Sequence, residues 1–186
     1  MAAEPGPAEV DLLHRDWTFE DLARLPDDGF RYEVLDGQLV VTPPPTPEHQ
    51  DVLDNLKALL APRVRGRCLV KTGVGLRVPR LGPERYVVPD LSLVTGPRPP
   101  LYYEPEAVLL VVEVESPGTR LRDRGTKRVL YEEHGIGEYW LADLEAQRLT
   151  SHRLRAGAYE VAWRMEGDVP GADLLDGVRF ADLLAE

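Results

Sequence analysis

One cysteine, Cys68, stands among 186 residues. No disulfide within the chain and no multi-thiolate zinc cage can form, and a single reduced thiol suits a reducing cytoplasm. No apolar run approaches the ~18 residues that span a bilayer, so no membrane partner is expected. The first residues, Met1-Ala2-Ala3-Glu4-Pro5-Gly6-Pro7, lack the basic region and apolar stretch of a signal peptide. They read as the start of an extended or disordered tail over 1–16. Positive charge is scarce too: 22 Lys and Arg stand against 32 Asp and Glu, a formal net charge of −10. That argues against a protein that coats DNA through bulk electrostatics. There is no Walker-type loop and no Gly-x-Gly-x-x-Gly after a strand. Ser116-Pro117 lies outside any Gly-x-Ser-x-Gly elbow, so a serine hydrolase has no support.

What is present is an ordinary globular composition, 43% hydrophobic and 29% charged, with length enough for one well-buried domain, 17–186. Thr18-Phe19-Glu20-Asp21 has capping-box spacing and predicts a short helix from Phe19 to Leu25, stopped by Pro26. Asp36-Gly37 between Phe30–Leu35 and Gln38–Val41 predicts a tight β-hairpin. Thr46 and Pro47 open a helix in which Val52, Leu53, Leu56, Leu59 and Leu60 recur at helical spacing, with His49 on the same stripe. Strands are expected over Arg67–Lys71 and Val74–Val78, broken at Gly73, then Arg85–Val94 and Ala107–Glu115. A helix from Thr119 to His134 follows, closed by Gly135. A strand over Glu138–Asp143, a hairpin over Arg148–Met165 around Arg155-Ala156-Gly157, and a short helix from Phe180 complete the chain.

Acids interrupt the apolar strands. Asp90 follows Tyr86-Val87-Val88-Pro89 and precedes Leu91-Ser92-Leu93-Val94, while Glu113 and Glu115 end the run from Ala107 to Val112. An isolated charge in a strand buried on both faces costs several kcal/mol unless it is paired or metal-bound. Residues i and i+2 share a strand face roughly 7 Å apart, so Glu113 and Glu115 point one way, and Val112 and Val114 the other. A carboxylate pair at ~4 Å repels by about 4 kcal/mol at an effective dielectric near 20, so a third converging acid calls for a cation. Oxygen ligands suit Mg²⁺ or Mn²⁺ rather than zinc. Lys127 shares a helix face with Leu130, Tyr131 and His134 and so reaches toward these acids; the plainer alternative is a simple salt bridge to Glu113 or Glu115. Arg63, Arg65, Arg67, Lys71, Arg77, Arg80 and Arg85 form a mixed, solvated surface. Arg120, Arg122, Arg124 and Arg128 lie directly after the acidic pair, where a phosphate chain would pass. Glu33 is a charged residue in a mostly apolar hairpin strand, readable as solvent-facing. His49 is readable as a helix cap or core residue, and Asp123 as a helix-face partner of Lys127.

Taken in order, Tyr32-Glu33-Val34-Leu35-Asp36-Gly37-Gln38-Leu39, Pro89-Asp90, Val112-Glu113-Val114-Glu115-Ser116-Pro117, Arg122-Asp123-Arg124-Gly125-Thr126-Lys127, Tyr131 and Gly135-Ile136-Gly137-Glu138-Tyr139-Trp140-Leu141 resemble the Uma2 family. That family belongs to the PD-(D/E)XK, restriction-endonuclease-like superfamily. The resemblance runs from about Trp17 to the C-terminal region. It implies that Asp90 and Glu113 are metal ligands, that Glu33 is a further acid of the site, and that His49 lies nearby. The superfamily pattern places lysine two positions after the second acid, where this chain has Glu115; the lysine of Uma2-like proteins sits on the following helix, at Lys127.

The resulting expectation is an α/β (α+β) fold with a restriction-endonuclease-like core. A mixed, mainly four-stranded central sheet lies between helices, with an N-terminal hairpin and C-terminal β additions. The expected activity is Mg²⁺-dependent (or Mn²⁺-dependent) hydrolysis of DNA phosphodiester bonds, with Glu115 completing the acidic shell. A catalytically inactive nuclease fold acting as a binding or regulatory module is the rival. A hydrolase of small phosphate esters is a third reading. A homodimer would match duplex symmetry, joined by an edge strand near Trp140 or in the C-terminal hairpin.

Overall fold

The computed structural model describes residues 16–78 and 84–185. The expected tail over 1–16, apart from Asp16, and Arg80 of the first basic stretch lie outside the described residues.

Local sequence signals set the elements as expected at most positions. Thr18 caps α1 (Phe19–Leu22) in a full capping box with Asp21. The helix ends earlier than Leu25, with turn hydrogen bonds carrying the chain to Leu25. Strands β1 (Arg31–Leu35) and β2 (Gln38–Thr42) pair around Asp36 and Gly37, whose φ values of 51° and 77° are those of a tight hairpin turn. Thr46 caps α2 (Pro47–Val64), with Pro47 in its first turn. Next come β3 (Leu69–Thr72) and β4 (Leu76–Val78), separated at Gly73, then β5 (Arg85–Val87), β6 (Leu91–Val94) and β7 (Val108–Glu115). The helical segment 120–133, α3, has a π-helical turn, Asp123–Lys127, between α-helical Arg120–Arg122 and Arg128–Glu133. Strands β8 (Glu138–Asp143), β9 (Arg148–Arg155) and β10 (Ala158–Glu166) follow, and a 3₁₀ turn over Phe180–Leu183 stands where a helix was expected.

Two expectations need correction. The predicted strand from Arg85 to Val94 is two strands in two sheets, β5 and β6. Pro89 cannot donate to a ladder, and the chain changes sheets at Val88-Pro89-Asp90. The central sheet is also larger than four strands. It has six, in the order β10-β9-β8-β7-β6-β3, because the C-terminal hairpin joins β8 antiparallel. A separate four-stranded sheet has the order β2-β1-β5-β4. Among the described strands, β7 and β8 are the one parallel pair, joined by α3 as crossover. Trp140 therefore lies on an interior strand, fully buried, and the exposed edges are β10 and β3.

Alternation on β7 sorts the two cores. Val112 and Val114 pack with Val52, Leu56 and Leu60 of α2 on one face. Val111 packs on the other with Val87 of the small sheet, Leu130 and Tyr131 of α3, and Tyr139 of β8. At ~1.5–3 kcal/mol per buried aliphatic or aromatic side chain, these layers outweigh the cost of a few buried charges. Glu113 faces the second core, at the junction of both sheets and α3.

Candidate active site

Four carboxylates converge at that junction, all essentially sealed from solvent: Glu33, Asp90, Glu113 and Asp123. The fold brings Asp90 beside Glu113 by register, since Leu91 pairs with Val112 across antiparallel β6 and β7. Asp90 Oδ2 accepts from the backbone N–H of Val114 at 2.8 Å, and its Oδ1 accepts from Arg31 Nη1. His49, in the first turn of α2, places Nε2 3.6 Å from Asp90 Oδ2. Glu33, pointing inward from β1, accepts from Val88 N–H at 2.7 Å. It is fully buried, contrary to the solvent-facing reading. Because β1 and β5 pair at Val34 and Tyr86, Glu33 reaches the point where the chain leaves the small sheet.

Lys127 closes the cluster. Its Nζ lies 2.9 Å from Glu33 Oε1 and 3.1 Å from Glu113 Oε1, and Tyr131 Oη donates to the same Glu113 oxygen at 2.7 Å. Asp123 and Lys127, four residues apart, share one helix face and are both buried, with the π-turn between them. Tyr139 Oη, donating to the Asp123 carbonyl at 2.8 Å, pins this turn to β8.

The electrostatics follow from crowding. Burial pushes the Glu113 carboxyl up to about 8, with Lys127 pulling the other way and Asp90 adding repulsion. Burial likewise raises Asp123 to about 6, against the pull of Lys127. Burial would raise Asp90 as well, but the His49 hydrogen bond and the Arg31 guanidinium more than offset it and hold Asp90 below the usual carboxylate range. Burial favours the neutral form of Lys127, yet Glu113 and Glu33 keep it an ammonium well above its ordinary value. Acids outnumber the cations Arg31 and Lys127, so the cluster retains negative charge to be balanced by a proton or a further cation.

Two oxygens of the cluster are left without a partner. Glu33 Oε2 and Glu113 Oε2 are buried and accept no hydrogen bond, a costly condition for a carboxylate. Hard carboxylate oxygens suit Mg²⁺ or Mn²⁺. Among the described residues, no three acid, imidazole or thiol side chains are arranged as a ready metal cage; Lys127 and Arg31 bond the other oxygens of Glu33, Glu113 and Asp90.

The cluster meets solvent at Asp90. A cleft of about 690 Å³ is lined by Arg31, His49, Asp90, Glu115 and Arg120, with Pro43 to Pro45 among its apolar walls. Lys127, only 1% exposed, lies behind it.

The remaining expected residues are placed differently. Glu115 shares the strand face of Glu113 but is held apart by a bidentate pair with Arg124, at 2.6 and 2.7 Å. Arg124 also bonds Asp143 at 2.7 Å, Arg120 pairs with Glu145, Arg122 donates to Thr42 Oγ1, and Arg128 donates to the Tyr159 carbonyl. The basic segment is thus mostly tied into the protein's own acids and carbonyls. Arg31 escaped the sequence reading, although it lies two residues before Glu33 and so on the same strand face. Asp123 was read as a helix-face partner of Lys127; its burial among the acids follows from how the helix lies on the sheet.

Comparison with known proteins agrees with this architecture. A solved structure titled a "putative nuclease belonging to DUF820" from Anabaena variabilis superposes with a TM-score of 0.70 at 17% identity, over 90% of this chain and 97% of that one. It shares the fold. No curated protein sequence matches the chain. A family model, described as "Putative restriction endonuclease", matches residues 19–179, which takes in the whole acidic cluster and the helix that carries its lysine. The chain belongs to the Uma2 family.

Proposed function

We propose that this protein is a Mg²⁺- or Mn²⁺-dependent endonuclease that hydrolyses DNA phosphodiester bonds in a reducing cytoplasm. The observation that carries this reading is the buried surplus of carboxylate over cation, with unpartnered oxygens on Glu33 and Glu113. Asp90 and Glu113 would hold the metal, with Glu33 completing the acidic shell. Glu115, tied to Arg124, takes part only if that pair opens. The chemistry such a cation supplies is polarisation of a phosphoryl oxygen and acidification of water.

The rest belongs to the chain itself. Lys127 keeps Glu33 and Glu113 oriented, and its charge favours the extra negative charge of the attacked phosphate. Arg31, half in the cleft and bonded to Asp90, presents a guanidinium where a phosphate would enter. His49 orients Asp90. Arg120 and Arg122 flank the entrance and steer the strand. Two-fold pairing of chains along the exposed edge of β10 would match a duplex substrate.

A second reading rests on two observations. Glu115 occupies the superfamily's lysine position, and Lys127 is sealed behind the cleft. Both suit a nuclease fold that binds without cutting.

Titration calorimetry with Mg²⁺ and Mn²⁺ on wild type, Asp90→Ala/Glu113→Ala and the isosteric Asp90→Asn/Glu113→Gln, with plasmid nicking on the same samples, separates them. Metal binding and nicking lost together in both variants is the expected result. Binding without nicking selects the inactive module. Wild type that takes up no metal overturns the metal site.

A further inference from the structure

Beyond the acidic cluster, the same face of the six-stranded sheet carries a second depression, of about 490 Å³. Its floor is built by register. Asp143, Arg148 and Glu166 form one cross-strand row, and Leu141, Thr150 and Arg164 the next. These rows continue from Glu115 and Glu113 of β7, which pair with Asp143 and Leu141. Arg128 of α3 overhangs one side, and His152 lies on the floor.

The charge here differs from that of the rest of the protein. Four arginines, Arg124, Arg128, Arg148 and Arg164, face three carboxylates, Glu115, Asp143 and Glu166, in a chain whose formal net charge is −10. The catalytic cleft has the opposite balance: Arg31 and Arg120 face Glu48, Asp90, Glu115 and Glu145. Within the depression Arg124 is fully engaged by Glu115 and Asp143. Arg148 has only long pairs, at 3.8 Å to Asp143 and 3.7 Å to Glu166, and Arg128 one at 3.6 Å to Glu132. Arg164 is exposed and has no carboxylate within ion-pair distance among the described residues. Burial, then repulsion from Arg128 and Arg164, keeps the His152 imidazole below its ordinary value, consistent with a locally positive field. Such a field, open to solvent and only partly neutralised, is complementary to a phosphate group.

We infer that this depression is a phosphate subsite for the nucleic-acid strand whose scissile phosphate lies in the acidic cleft. Arg164 and Arg128 are the principal contacts, and Arg148 is shared with its acids. Glu115 lines both depressions, so a strand leaving the cleft passes over the Glu115–Arg124–Asp143 network into the arginines. Three inter-strand spacings of ~4.8 Å separate β7 from β10, placing Arg164 roughly 14 Å from Glu113. The subsite supplies locally the positive charge that the acidic protein as a whole lacks. The inference rests on the nuclease reading for the identity of the strand, but its own test is a binding one.

The experiment is fluorescence anisotropy of labelled single-stranded and duplex DNA 20-mers, and an RNA 20-mer, in metal-free buffer. The proteins are wild type, Arg164→Ala and Arg128→Ala, each titrated at several salt concentrations. Turnover of a small chromogenic phosphodiester, too short to reach the subsite, is measured on the same proteins with Mg²⁺. Arg164 is exposed and unpaired, so its variant is expected to fold. The expected result is affinity for the oligonucleotide about tenfold lower at 0.1 M salt, and a slope of log K against log salt reduced by about one per arginine removed. Turnover of the small diester stays unchanged in Arg164→Ala. Equal affinities and slopes for wild type and both variants overturn the subsite while leaving cleavage in place. Weakened oligonucleotide binding with no turnover of any substrate keeps the subsite and removes the nuclease. Wild type that binds no nucleic acid overturns the subsite. The DNA and RNA arms identify which backbone it prefers.

Discussion

Lys127 and Glu113 meet at 3.1 Å across the interface between α3 and β7, an ammonium and a carboxylate both removed from water. A buried pair of this kind contributes little net stability, yet breaking it from one side is costly, because the abandoned charge cannot be solvated. The geometry adds a complication: the same ammonium also holds Glu33. Lys127 is therefore the counter-ion of two carboxylates whose other oxygens have no partner.

Lys127→Ala should lower metal-free stability by about 3 kcal/mol and abolish cleavage. Mg²⁺ should then raise the Tm of the variant more than that of wild type, because the cation balances carboxylates that have lost their lysine. Thermal melts with and without Mg²⁺ check this. Cleavage at the wild-type rate would remove Lys127 from the mechanism.

Arg31→Gln deletes the guanidinium on Asp90. The expected effects are a stability loss of roughly 2 kcal/mol, since Arg31 is partly exposed, and Mg²⁺ affinity equal to or tighter than wild type, because Asp90 no longer shares its charge. Cleavage should fall at least tenfold as the cleft loses its phosphate-facing cation. Calorimetry and nicking on one sample read both, and weaker metal binding would show that Arg31 supports the metal site rather than competing with it.

Asp123→Asn gives a pH signature. The folded value of Asp123, about 6, lies above its ordinary range because of burial. The native state thus binds more protons than the unfolded chain between about pH 4 and 6, and stability falls as pH rises through that window. The variant should be more stable than wild type at pH 7 by on the order of 2 kcal/mol, with the difference vanishing near pH 4. Asp90 has the opposite sign. Held below its ordinary range, it contributes stability above about pH 4 that is lost on further acidification. Urea melts at a series of pH values in metal-free buffer separate the two, and a constant offset for Asp123→Asn would refute the assignment.

Glu115→Lys restores the superfamily spacing of acid and lysine but sets a second cation against Arg124. Loss of the bidentate pair should lower Tm by several degrees, the equivalent of about 1–2 kcal/mol, without raising cleavage. A gain in cleavage would mean that the strand position, not the helix position, is the effective place for the lysine.

How much of this was legible beforehand differs by element. Hairpin turns, caps and strand alternation were readable, because Asp36-Gly37, Thr18, Thr46 and the β7 pattern act over a few residues of chain. Asp90 and Glu113 stood out because charge in an apolar run needs a partner, Lys127 by the helix face it shares with Leu130 and Tyr131, and Glu33 only through the family resemblance. The split at Pro89 was misjudged: an apolar run looks the same whether it crosses one sheet or passes between two. The six-stranded sheet was undercounted, since the sequence reading set the C-terminal hairpin apart as an addition, whereas the short turn after Asp143 folds β9 back onto β8. Arg31 and the burial of Asp123 were missed because one needs the small sheet placed against the large one, and the other the helix laid across β7.

Local chemistry in the sequence thus specified the elements, the acids and the lysine that had to find one another, since turn geometry and the cost of burying charge depend on residue type. Which oxygen meets which cation was settled by packing alone. Lys127 reaches Glu33 and Glu113 because α3 lies across β7, and Glu115, two residues from Glu113, is diverted to Arg124. Distances of this kind arise from how layers stack, and no spacing along the chain encodes them.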